Sequence, residues 1–195
     1  MGRPNREPGK LHTDDEIGVV KKDWRNRIRV ALVYPNRYHV GIANLGLQTV
    51  YHLFNQMGTV LCERAFLPAP GRGRDRLPTT LESRRALKEF DIVAFAVSFE
   101  NDYLNILRIL KLSGLPLKSA ERNTAHPLIM AGGVACQLNP EPLAPFMDLF
   151  LMGEAELLLS PFIEVFEKFP ARDEFLEQLA RALASCDGAQ EQEAQ

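Results

Sequence analysis

From Ile28 onward, short apolar runs alternate with longer stretches whose apolar positions recur every three or four residues. The short runs have the length and composition of buried parallel strands, and the longer ones the spacing of helices packed along one face. Ile28–Tyr34 (IRVALVY), stopped by Pro35, predicts a first strand. Asn44–Met57 predicts a helix with Leu45, Val50, Leu53, Phe54 and Met57 at helical spacing, Asn44 as N-cap and Gly58 as stop. Thr59–Phe66 predicts a second strand, followed by a Pro- and Gly-broken loop, PAPGRGRDRLP. Thr80–Phe90 fits a short helix with Leu81 and Leu87 inward. Asp91–Ser98 (DIVAFAVS) is the clearest buried strand.

The alternation continues to the C-terminus. Asp102–Ser113 predicts a helix closed by Gly114, and Pro127–Ala131 a fourth strand ending on Gly132 and Gly133. Pro140–Phe146 predicts a brief helical turn and Asp148–Met152 a fifth strand ending on Gly153. Glu154–Phe169 and Asp173–Ala184 predict two helices split by Pro170. Five strands separated by helical crossovers imply an α/β fold, a doubly wound parallel sheet of flavodoxin-like order 2-1-3-4-5. Residues 1–27, polar and without periodicity, are expected to form a mobile arm. Residues 28–169 make the α/β domain, and 170–195 a C-terminal helix and polar tail.

Composition narrows the setting. The chain has 195 residues, 46 % hydrophobic and 25 % charged, the mix of one globular domain with a tail. A net charge of −2 gives no global positive field for nucleic acid or anionic lipid. No apolar run approaches the ~20 residues of a membrane helix. The opening MGRPNREPGK lacks the apolar centre of a secretion signal, so a cytoplasmic location is expected. Cys62, Cys136 and Cys186 are odd in number, widely spaced and contain no CxxC pair, so this chain by itself is not expected to hold a metal or an iron–sulfur cluster.

In a doubly wound sheet, ligands bind beyond the carboxyl ends of the strands, near the reversal of strand order. The loops there read YPNRYHVGIANLG, SFEND, GGVACQLNPEP and GEAE. Gly132-Gly133 allows close backbone approach to a ligand, or a tight turn. Ser98 is placed to reach a ligand or to cap the next helix, and Glu154 to meet a ligand or favour the following helix dipole. Neither GxGxxG nor GxxxxGK[ST] is present, so dinucleotide and nucleoside-triphosphate fingerprints are absent. His39 reads as a surface or neighbouring residue, His52 and His126 as structural, and Arg72, Arg74 and Arg76 as a solvated basic loop. No nucleophile–base–orienter set stands out, so no catalytic residue is expected.

The run DIVAFAVSFENDYLNILRILKLSGLPLKSAERNTAHPLIMAGG, followed by NPEPLAPFMDLFLMGEAE, resembles the N-terminal domain of large radical S-adenosylmethionine (SAM) proteins, and YPNRYHVGIANLGLQTVY resembles that domain's opening strand–loop–helix. The domain is similar to the cobalamin-binding domain of methyltransferases and mutases. The resemblance implies a cobalamin whose nucleotide tail crosses the loops. Asn44, Leu45 and Gly46 would line the first loop, Ser98 and Phe99 the third. Gly132, Gly133 and Val134 would floor the fourth, with Gly153 and Glu154 at the rim of the fifth. A leucine at Gly133 is accordingly expected to fill the tail groove without disturbing the fold.

Two departures from the pattern alter the implied site. The cobalt-ligating DxHxxG is unmet, because His39 is followed by Gly41 one residue early, so binding would be base-off without a histidine ligand. Ser98-Phe99-Glu100 stands where Ser-x-Leu is usual. The CxxxCxxC loop that holds the [4Fe–4S] cluster and S-adenosylmethionine is absent, so those cofactors and the catalysis are expected in a radical SAM barrel, in cis or in trans. The alternatives are a scaffold or interaction domain that has lost the cofactor, or a flavin or nucleotide at the same reversal point. The missing phosphate loop argues against the last.

Overall fold

In the computed structural model, residues 16, 18–69, 76–169, 171–172 and 174–182 are described. Their sheet has five parallel strands, β1 (Ile28–Tyr34), β2 (Val60–Phe66), β3 (Ile92–Ala96), β4 (Leu128–Gly132) and β5 (Leu149–Leu151), in the order β2-β1-β3-β4-β5. This is the flavodoxin-like arrangement, with strand order reversing between β1 and β3. Alternation along each strand divides the core into two layers. Val30, Leu32 and Tyr34 of β1 face one layer, together with Leu47, Tyr51 and Phe54 of α2 (Leu45–Gln56) and Phe162 of α5 (Ala155–Lys168). Ala31 and Val33 face the other, with Ile106, Ile109 and Leu110 of α3 (Tyr103–Leu112).

Two short helices complete the loops at the carboxyl ends of the strands: α1 (Tyr38–Gly41) after β1 and α4 (Val134–Leu138) after β4. Neither is long enough to show a period in the sequence. Pro140–Phe146 forms its helical turn as 3₁₀ over Glu141–Phe146, and residues 174–182 are helical, with Phe175 packed edge-on against Phe162 and Phe166. Residues 183–195 lie outside the described part, as do 1–15. Among the described residues no helix is long and apolar enough to cross a membrane.

The helix expected over Thr80–Phe90 is not formed. Only Leu87–Glu89 make a 3₁₀ turn, and the segment before it meets edge strand β2 through the antiparallel bridge Ala65↔Thr80 and closes on itself through Thr79↔Ala86. The reason is the polar content of β2. Glu63, 4 % exposed, accepts from Thr80 Oγ1 and Ser83 Oγ, both at 2.6 Å, and Arg64 pairs with Glu82 at 2.8 Å. Buried charges require partners, and an extended segment supplies them where a helix would turn them away. Leu81 and Leu87 still point inward.

Residues 18–27 lie against the same edge. Lys22 Nζ donates to the carbonyls of Met57 and Val60, and Trp24 packs edge-on against Phe90. At the amino ends of the strands, two aspartates preceding strands serve one structural purpose. Asp91 accepts from Arg29 N at 2.8 Å, and Asp148 from Ile129 N at 2.8 Å. Asp148 is also ringed by Arg122 and Arg172, with Arg122 Nη1 and Nη2 further spent on the carbonyls of Pro116, Leu117 and Phe146. Asp91 and Asp148 at this end are therefore paired internally, with Arg29 and with Arg122 and Arg172.

Candidate functional site

A cleft of about 330 Å³ opens at the carboxyl end of the sheet, on the face covered by α2 and α5. Its existence follows from the size of the side chains on β3 and β4. On this face Ile92 is followed by Ala94 and Ala96, and Met130 by Gly132, so the floor drops toward the strand ends and leaves a cleft. The opposite face of β3 carries Val93 and Phe95 and is filled. Leu47, Val50 and Phe54 of α2 and Leu158 and Leu159 of α5 form the walls.

Ala94 is paired with Leu32 on one side and Met130 on the other, and Ala96 with Gly132. Side-chain polarity is confined to the mouth, where Asn44 and Ser98 are the polar lining residues. Asn44 caps α2 by accepting from Leu47 N at 2.9 Å, and its Nδ2 donates to Ser98 Oγ at 3.1 Å. That bond joins the loops after β1 and β3, across the reversal of strand order. Around the mouth stand exposed apolar side chains: Leu45 at 82 %, Phe99 at 61 %, Val134 and Met152 at 54 %. An apolar rim of this kind on a surface is unfavourable unless something covers it.

Seven of the residues expected from the sequence line the cleft: Asn44, Gly46, Ser98, Gly132, Gly133, Val134 and Gly153. Leu45, Phe99 and Glu154 do not line it. They are exposed beside it, and Glu154 stands before α5 without a side-chain capping bond. The walls and deep floor, Leu32, Met130, Leu151 and Leu159 among them, escaped sequence reading because each is also an ordinary core residue. A further pair joins the same two loops on the other layer of the sheet. Asn36 Nδ2 donates to Asp102 Oδ1 at 2.8 Å, Asp102 is 3 % exposed, and burial raises its carboxyl above the usual range. The sequence held Asp102 only as the start of α3.

Gly133 takes the second of the two roles open to it, a positive-φ turn, and not only the close approach to a ligand. Its φ is +105°, and a Cβ there would lie 2.6 Å from the carbonyl oxygen of Val97. The glycine lets the β4–α4 turn press against the end of β3, so a leucine would break that packing and not simply fill the groove. At Gly46, by contrast, a Cβ would meet only Asn44 Oδ1 at 3.3 Å.

Among the described residues the cysteines do not come together, and Cys186 lies outside them. Cys62 belongs to the core layer under α2 and Cys136 to the layer under α3, so the sheet separates them, and burial raises both thiols. No group of three or more His, Cys, Asp and Glu converges for a metal among the described residues. His39 and His52 are exposed, and His126 lies toward the amino end of β4; none of the three lines the cleft.

Fold and cleft together define a flavodoxin-like α/β domain with a deep apolar slot at the reversal of strand order. Residues 46–189 match the family described as "Radical SAM proteins, N-terminal", and the chain belongs to that family. It is also similar to the uncharacterized protein MJ0966 of Methanocaldococcus jannaschii, with 27 % identity over 127 residues, which are 65 % of this chain and 24 % of that protein. The matched part thus spans about a quarter of the length of this relative. No solved structure matches the chain.

Proposed function

We propose that this domain is a cofactor-presenting module of a radical SAM protein, and that the slot takes the nucleotide tail of a cobalamin with the corrin ring over the rim. The observation that carries this reading is the slot itself: apolar in depth, polar at the mouth, apolar again around the rim, at the point where such sheets bind ligands. Its volume lies at the lower end of the roughly 300–1,000 Å³ of small-molecule sites, suited to a base and sugar and not to a whole corrinoid.

The residues divide the work by chemistry. Small side chains at Ala94, Ala96 and Gly132 leave room for a flat base against the sheet. Ser98 accepts from Asn44, so its own proton is left for an acceptor atom of the tail. Leu45, Phe99 and Val134 would bury apolar surface against the edge of the ring. No described histidine lines the slot, and the proposed binding is base-off without a protein imidazole. A bound cobalamin would supply methyl-transfer or rearrangement chemistry at its cobalt. The [4Fe–4S] cluster and S-adenosylmethionine belong, in this reading, to a barrel in cis or in trans, since the CxxxCxxC loop is not in this sequence and the described cysteines, Cys62 and Cys136, lie on opposite sides of the sheet.

The test is retention of hydroxocobalamin. Purified protein is incubated with excess, desalted, and its visible spectrum recorded. Stoichiometric corrin absorbance of base-off form is the expected result, and a colourless protein refutes it. A second reading has one specific observation in its favour: Phe99 and Glu100, both exposed, stand where the tail would enter. A domain that docks a partner protein on the apolar rim without any cofactor would give the colourless outcome.

A further inference from the structure

The polarity of the slot carries a conclusion about which cobalamin relatives it admits, and this conclusion rests on the tail-binding reading above. We propose that the slot selects by the base of the tail, accepting benzimidazole or phenolic bases and rejecting purines. Naturally occurring corrinoids differ in that base. Dimethylbenzimidazole in base-off form exposes one ring nitrogen, a cresol base none. Adenine exposes that nitrogen, two more ring nitrogens and an exocyclic amine.

The structure has partners for the first kind and not for the second. Asn44 and Ser98 at the mouth can meet one polar atom close to the sugar. Beyond them the lining side chains are Leu32, Phe54, Ala94, Met130, Leu151 and Leu159, all less than 9 % exposed. Under the floor, Ala94 stands in register between Leu32 of β1 and Met130 of β4, so the sheet itself presents apolar side chains to the slot. A purine seated to this depth would lose water from its amine and its further nitrogens and regain no hydrogen bond from these side chains. A pocket rejects such a group strongly, whereas it discriminates weakly between apolar bases of similar size.

The experiment measures affinity for four corrinoids by equilibrium dialysis on the same protein: cobalamin, its cresolyl and adeninyl counterparts, and cobinamide, which has no nucleotide tail. The expected order places the first two within about threefold of each other and the adeninyl form about tenfold or more weaker. Cobinamide is expected to be weaker than cobalamin. Adeninyl binding equal to that of cobalamin overturns the selection while leaving the tail-binding reading in place. Cobinamide binding as tightly as cobalamin shows that the tail is outside the slot and overturns both, as does failure to retain any corrinoid. As a control on cause, Ala94→Ser adds one hydroxyl to the floor at little cost in volume. It should move the adeninyl-to-cobalamin affinity ratio several-fold toward adenine, measured on protein whose thermal unfolding is unchanged. An unmoved ratio refutes the floor as the selecting surface.

Discussion

Replacing Ala96 with leucine separates an open slot from a merely loose core. Ala96 lies on β3 beside Gly132 of β4, a neighbour without a side chain, and both line the 330 Å³ cleft. In a filled core, three added carbons force side chains off their rotamers and cost about 1–3 kcal/mol. Here they enter existing space. Burial at about 0.8 kcal/mol per carbon, less up to about 1 kcal/mol of rotamer freedom, leaves a net gain of about 1.5 kcal/mol. For a domain of this size that raises Tm by about 3–6 °C. The same leucine occupies the space assigned to the base, so retained corrin should fall at least tenfold. Calorimetry on the cofactor-free protein and desalting with hydroxocobalamin give the two readings. Gain of stability with loss of binding is the expected pair. A lowered Tm refutes the slot as open space, and undiminished retention by a stabilised protein refutes it as the binding site.

Three other outcomes test the architecture. Asp148→Asn leaves Arg122, whose side chain is fully buried, without its counter-charge, and urea unfolding should report a loss of about 3–5 kcal/mol. Gly133→Ala should destabilise well beyond the ~1–2 kcal/mol of left-handed backbone strain alone, because its Cβ meets the Val97 carbonyl at 2.6 Å. Gly114→Ala, at φ +67° with nothing within 4 Å of its Cβ, should cost only that strain, and paired melts compare the two. Burial raises the Cys136 thiol from 9.0 to about 11. At pH 8 only about one molecule in a thousand then carries its thiolate, so modification by a disulfide reagent, located by mass spectrometry, should be slow in native protein and rise about tenfold per pH unit. Because the folded value is the higher one, this group's contribution to stability is complete below pH 9 and is lost as pH rises through about 11.

The legible parts of the site are those whose residue type is unusual for its position. Asn44 before a helical run reads as a cap, and it is one. Two glycines after a buried strand mark a close approach, though the approach at Gly133 is by the chain's own β3 end and not by a ligand. The segment over Thr80–Phe90 misleads because its composition suits a short helix while its fold is decided elsewhere. Glu63 and Arg64, buried on β2, draw Thr80, Glu82 and Ser83 into extended contact. Nothing within the segment announces that demand.

The sequence by itself determined the alternation of strands and helices, and with it the parallel sheet and its order. Buried strands must be apolar, crossover helices must be apolar on one face, and right-handed connections leave few topologies. It also pointed to the loops at the carboxyl ends. Only the tertiary structure decided that Ala94, Ala96 and Gly132 lie side by side and leave a slot, since a void depends on what faces small residues and not on the residues alone. It likewise decided that Asn44 reaches Ser98, 54 positions away, across the reversal of strand order. Contacts between residues distant in the chain are fixed by register and packing, which local patterns of polarity do not encode.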